Sequence, residues 1–88
     1  MVSAEVMVLN MQGLHARPIA KLVKTLSISE DSVTLEKACR RANAKDIYQI
    51  MALDVRCGDQ LTINVEGPGE SETLEIVVGL FKAKFNET

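Results

Sequence analysis

Gly13-Leu14-His15-Ala16-Arg17-Pro18-Ile19-Ala20-Lys21-Leu22-Val23-Lys24-Thr25-Leu26 is where the pattern of the chain changes from a period of two to a helical one. Before it, Val2, Ala4, Val6 and Val8 alternate with Ser3, Glu5, Met7 and Leu9, the spacing of a strand. Within it, Ile19, Leu22, Val23 and Leu26 fall at i, i+3, i+4 and i+7, one face of a helix. Lys21 and Lys24 lie off that stripe, toward solvent. Asn10 to Gly13 breaks the strand, and Gly13 permits a tight loop. Pro18 belongs in a first helical turn, where a missing N–H costs nothing. The helix therefore begins near Ala16, and His15 stands at its N-terminus.

Downstream the two periods keep alternating. Ser32–Lys37 reads as a strand, with Val33 and Leu35 on one face, and Arg40–Asn43 as a short strand that pairs back. Ala44–Leu53 reads as a short helix with Ile47, Ile50 and Met51 at helical spacing and the weakest apolar stripe of the three. Gln60–Glu66 alternates through Leu61, Ile63 and Val65. Gly67-Pro68-Gly69 breaks the chain, and Ser71–Phe85 reads as one long amphipathic helix bearing Leu74, Val77, Val78, Phe81 and Phe85. Its acidic start and basic end suit the helix dipole. The order is β-α-β-β-α-β-α. Strands with one apolar face need a cover, which predicts an α+β open-faced two-layer sandwich, a four-stranded antiparallel sheet with helices on one side.

The 88 residues fit one domain over 1–88, with a modest core. A hydrophobic share of 47% and a charged share of 25% are those of a folded globular domain rather than a disordered one. A net charge of −2 and three aromatic residues argue against nucleic acid as a partner. No stretch is apolar for long enough to insert in a membrane, and the N-terminus lacks the basic start and apolar block of an export signal. A cytoplasmic location follows as the expectation. Cys39 and Cys57 form no C-x-x-C pair, and with a single histidine they make no zinc set. They read as buried or half-exposed free thiols.

One constellation suggests chemistry. A helix N-terminus offers unpaired N–H groups and partial positive charge, so it favours anions. Imidazole is nucleophilic near neutral pH, and Arg17 adds a fixed, forked cation. At ~4 Å and an effective dielectric of ~20, a unit-charge pair is worth ~4 kcal/mol before desolvation. A phosphoryl group on His15 would thus be cradled by backbone donors and a guanidinium, and phosphoryl transfer needs mainly positioning and charge stabilisation. The plain alternative makes Gly13 a turn residue, Pro18 a helix starter, and His15 and Arg17 solvated surface.

Gly13-Leu14-His15-Ala16-Arg17-Pro18 resembles the active-site motif of the HPr family, the histidine-containing phosphocarriers of the bacterial phosphoenolpyruvate-dependent phosphotransferase system. Chain length, element order and Asn43-Ala44-Lys45 before the middle helix fit the same family. Glu66-Gly67-Pro68 and Leu80-Phe81…Phe85 look more like its nitrogen-related paralogue. The resemblance implies that His15 accepts a phosphoryl group from phospho-enzyme I and passes it to an enzyme IIA domain, with Arg17 steadying it. It implies a partner surface around Ala16, Ala20, Lys24, Ile47, Tyr48 and Met51. It also implies a monomer that needs no cofactor or metal of its own and completes no turnover alone. For Ile47, Tyr48 and Met51, core packing is the plain alternative.

Two departures stand out. Where many HPr proteins begin the middle helix with a kinase-regulated serine, this chain has Asp46, either a weaker phosphoserine mimic or simply a helix-start carboxylate. Where sugar-type proteins often carry lysines, it has Ser27 and Gln49, a thinner basic rim for steering toward acidic partners. A regulatory, nitrogen-type carrier is slightly favoured over a sugar-uptake carrier. A docking module that transfers nothing and a small-molecule-binding regulatory domain are the competing classes. The first has no need of the His15–Arg17 pair, and the second lacks a Gly-rich phosphate loop or convergent polar cluster.

Overall fold

The structure, a computed structural model, describes residues 1–86. Positions 87 and 88 of the expected 1–88 domain lie outside the described residues. The elements are β1 (Val2–Met7), α1 (Ala16–Leu26), β2 (Ser32–Lys37), β3 (Arg40–Asn43), α2 (Ile47–Ala52), β4 (Gln60–Glu66) and α3 (Glu70–Lys82), followed by a 3-10 turn at Lys84–Asn86. The strands form an antiparallel sheet in the order β1-β4-β2-β3. The β-α-β-β-α-β-α order and the four-stranded antiparallel sheet are those expected.

The register sorts side chains by face. Val6 lies opposite Leu61, and Leu35 opposite both Ile63 and Ala42, all buried. Ile19, Leu22 and Leu26 of α1 and Val77 and Phe81 of α3 pack into the same core. Each of the valine, leucine, isoleucine and phenylalanine side chains among them contributes about 1.5–3 kcal/mol by leaving water. The other face is polar. There Ser3 Oγ donates to Asn64 Oδ1 (2.6 Å), Asn64 Nδ2 to Glu36 Oε1 (2.7 Å) and Gln60 Nε2 to Glu5 Oε2 (2.8 Å).

Two elements differ from expectation. The middle helix spans Ile47–Ala52 rather than Ala44–Leu53. Buried Ala44 donates its N–H to Val33 O at 2.9 Å, which prolongs the pairing of β2 and β3. The Asp46 carboxylate then accepts the N–H groups of Tyr48 (2.9 Å) and Gln49 (3.2 Å) and starts the helix as its N-cap. In α2 only Ile50 is buried, while Ile47, Tyr48 and Met51 are exposed and so are not core.

The long C-terminal helix stops at Lys82 instead of reaching Phe85. Lys84, Phe85 and Asn86 take positive φ of 53°, 53° and 62°. This turn seats the Phe85 ring edge-on against Phe81, with centroids 4.9 Å apart and planes at 77°.

Asp31 anchors the start of α3. It is buried, and its carboxylate accepts Thr73 Oγ1–H at 2.6 Å and Gly69 N–H at 3.0 Å. These donors, with the Ser29 hydroxyl and the Lys45 charge, hold its carboxyl below the usual aspartate range.

Candidate functional site

Gly13 locks the loop that delivers His15. Its φ is +67°, and a Cβ built on it would lie 2.3 Å from Val55 O and 2.8 Å from Arg56 Cα. Glycine is required twice over, for the backbone angle and for the close approach. Its N–H bonds to Asn10 O (2.9 Å), and the next residue, buried Leu14, donates its N–H to Val55 O (3.1 Å). The segment it rests on is fastened in turn. Gly58 N–H reaches Val8 O at 2.8 Å, Val8 N–H reaches Asp59 O at 2.9 Å, and Asp59 pairs with Lys37 at 2.8 Å.

His15 is the N-cap residue of α1, in an extended conformation (φ −99°, ψ −171°), and its ring does not cap its own helix. Its carbonyl accepts Ile19 N–H at 3.1 Å. Pro18 has no N–H. The first-turn amides left without an intrahelical acceptor are therefore those of Ala16 and Arg17, beside the histidine. His15 is half-buried, and Ala16 and Arg17 are exposed.

Two shallow clefts meet at the ring. One is lined by His15, Ala16, Arg17, Gln12, Asn10 and Lys84, among others. The second holds His15 with Met51, Asp54, Arg56 and Cys57. Arg56 Nη2 lies 2.9 Å from Asp54 Oδ2, and that guanidinium holds the Asp54 carboxyl below its ordinary range. The clefts of His15 are thus lined by two cations, Arg17 and Lys84, that suit a group bearing negative charge, and by the charge-balanced Arg56–Asp54 pair.

The structure brings His15, Ala16, Arg17 and Met51 together at these clefts. Ala20 and Lys24 lie outside both, continuing the exposed ridge of α1 at four and eight residues from Ala16. Ile47 and Tyr48 lie on α2 with Met51, also outside the clefts. Asp46 is committed to capping. Cys39 and Cys57 are both free and exposed, a correction to the buried or half-exposed thiols expected. Cys39 sits in the β2–β3 turn, where the chain reverses at left-handed Ala38 (φ 55°). Cys57 sits on the loop between α2 and β4. Sequence reading passed over Asp54, Arg56, Cys57 and Lys84, because they come to line the clefts of His15 only through the packing of distant loops.

Comparison with known proteins agrees with this geometry. The family model described as the PTS HPr component phosphorylation site matches residues 2–83, so the chain belongs to the HPr family of the phosphotransferase system. Phosphocarrier protein HPr of Treponema pallidum is 41% identical over 99% of both chains. The crystal structure of HPr from Thermoanaerobacter tengcongensis superposes with a TM-score of 0.95 at 36% identity, covering 100% of this chain and 99% of that one. A segment of the phosphoryl donor subunit DhaM of the Escherichia coli dihydroxyacetone kinase is 37% identical over 98% of this chain, but only 18% of DhaM is matched. Among the described residues no helix is long and apolar enough to cross a membrane, and no cluster of three metal-ligating side chains occurs.

Proposed function

We propose that the protein is a phosphohistidine carrier in which a ring nitrogen of His15 takes a phosphoryl group from phospho-enzyme I and yields it to an enzyme IIA domain. The observation that carries this reading is His15 at the start of α1, sharing a cleft with Arg17 at a helix end where the Ala16 and Arg17 amides have no intrahelical acceptor. Arg17 offers a planar fork to the phosphoryl oxygens, and the Ala16 and Arg17 amides offer backbone donors. The exposed face of Ala16, Ala20, Lys24, Ile47, Tyr48 and Met51 is the docking surface, apolar at its centre. The carrier acts as a cytoplasmic monomer, needs no cofactor of its own and turns nothing over alone.

Within this reading the regulatory, nitrogen-type branch is preferred. The C-terminal Glu66-Gly67-Pro68 and Leu80-Phe81…Phe85 pattern supports it, as does Asp46, where a serine kinase has no hydroxyl to modify. The two bonds that Asp46 accepts from the α2 amides favour a capping role for that carboxylate over a signalling one.

The test is phosphorylation from phosphoenolpyruvate, magnesium and enzyme I, followed by intact mass, with His15→Ala in parallel. One acid-labile phosphoryl group on the parent, absent from the variant, is expected. Sugar-type and nitrogen-type enzyme I, run side by side, assign the branch. No gain with either enzyme would overturn the carrier in favour of a docking module.

A further inference from the structure

The C-terminal turn brings Lys84 to the cleft that His15 lines. Lys84, Phe85 and Asn86 all have positive φ, which costs residues with a Cβ and persists only when the surroundings impose it. Two contacts impose it here. Phe85 is buried against Phe81, and the buried Asn10 side chain donates Nδ2–H to the Lys84 carbonyl at 2.9 Å. Asn10 also accepts the Gly13 N–H on its backbone oxygen, so the loop that sets His15 and the turn that carries Lys84 are fastened through one residue. Lys84 consequently lines the cleft of His15 and Arg17. Lys82, exposed at the last turn of α3, carries the same charge but does not line that cleft.

We propose that Lys84 is a second positioning cation for the phosphoryl group on His15, brought into place by the left-handed turn. This rests on the carrier reading above. Arg17 contributes a rigid fork; a lysine ammonium is a point charge on a flexible stem that can follow the phosphoryl oxygens as the ring turns. A cation in the cleft that engages the phosphoryl oxygens holds the group on the ring, so Lys84 preserves the carried group between partners.

The test loads His15 chemically, to keep it apart from recognition by enzyme I. Phosphoramidate gives its phosphoryl group to imidazole: its P–N bond breaks, ammonia leaves and a P–N bond to the ring forms. The chain has a single histidine, so the label has one imidazole to occupy. Hydrolysis is followed by phosphorus NMR for the parent, Lys84→Gln, Lys84→Arg and Lys82→Gln, at low salt and at 1 M salt.

Lys84→Gln is expected to lose phosphate roughly two- to fivefold faster at low salt, the range of an exposed charge pair. The difference should vanish at ~1 M salt, where the screening length is about 3 Å. Lys84→Arg and Lys82→Gln should match the parent, and the thermal midpoint of Lys84→Gln should not move. The proposal is overturned if Lys84→Gln hydrolyses at the parent rate. It also fails if Lys82→Gln is equally fast, which would make the effect one of net charge. A difference that persists in salt would be loosening of the turn and would sink it too. Chemical loading that succeeds while loading by enzyme I fails would refute the carrier reading alone.

Discussion

The carbonyl oxygen of Val55 accepts the Leu14 N–H at 3.1 Å, and a Cβ on the preceding Gly13 would come within 2.3 Å of that same atom. The loop before α1 and the segment after α2 are therefore in backbone contact, with no room for a side chain between them. Gly13→Ala must move one of two fastened segments and hold alanine at positive φ. It should cost about 1–3 kcal/mol in urea-induced unfolding. Because His15 lies two residues on, phosphorylation by enzyme I should fall even at temperatures where the variant stays folded.

Arg17 separates charge from geometry. If the guanidinium grips the phosphoryl group as a fork, Arg17→Lys keeps the charge and loses one parallel bond. Arg17→Ala should slow transfer to the acceptor about ten- to a hundredfold, the range of a charge-assisted hydrogen bond. Arg17→Lys should fall between that and the parent. Single-turnover transfer from pre-loaded protein measures both, and a lysine variant as slow as the alanine variant would show that the fork, not the charge, carries the effect.

Asp46 should behave as a cap. Asp46→Ala removes the acceptor for the Tyr48 and Gln49 amides and should destabilise the protein by about 0.5–2 kcal/mol. For a chain this size that corresponds to a melting point several degrees lower. Asp46→Ser, which can still cap, should recover most of the loss. Thermal unfolding followed by circular dichroism decides between capping and a purely electrostatic part.

The acid limb of stability should carry the mark of Asp31. Its carboxyl is held low in the folded state by Thr73 first, then by the Gly69 amide, with smaller help from Ser29 and Lys45. A lowered folded value means the folded state favours the carboxylate. That stability is complete above the unfolded value of about 4 and is lost as pH falls through the folded one. Urea midpoints measured from neutral pH down into the acid range should fall below about pH 4. Asp31→Asn should be less stable at neutral pH and show a shallower acid decline. Some decline should remain, because Asp54 and Asp59 are also held low, by Arg56 and Lys37.

Much of the architecture was legible because it is written at short range. The alternation of β1 and β4 and the stripe Ile19, Leu22 and Leu26 each name a buried face without reference to the rest of the chain. The boundary of α2 was less legible. Ala44 could have been a first helical residue, and only its bond to Val33 makes it part of the sheet. An aspartate directly before the apolar run was a cap signal that would have moved the start to Ile47. The end of α3 was illegible. On paper the helical period runs on to Phe85, while in the fold that ring is reached through a left-handed turn held by Asn10, 74 residues away.

The same division holds for the site. Sequence alone determined that a histidine and an arginine two residues apart open a helix behind a glycine, since capping, proline placement and loop flexibility act over a few residues. Tertiary structure alone decided what surrounds them. Arg56, Asp54 and Cys57 arrive on a loop clamped to Val8 and Leu14, and Lys84 arrives on a turn seated by Phe81 and Asn10. Hydrogen bonding and burial across the fold select those neighbours, and no spacing along the chain encodes them.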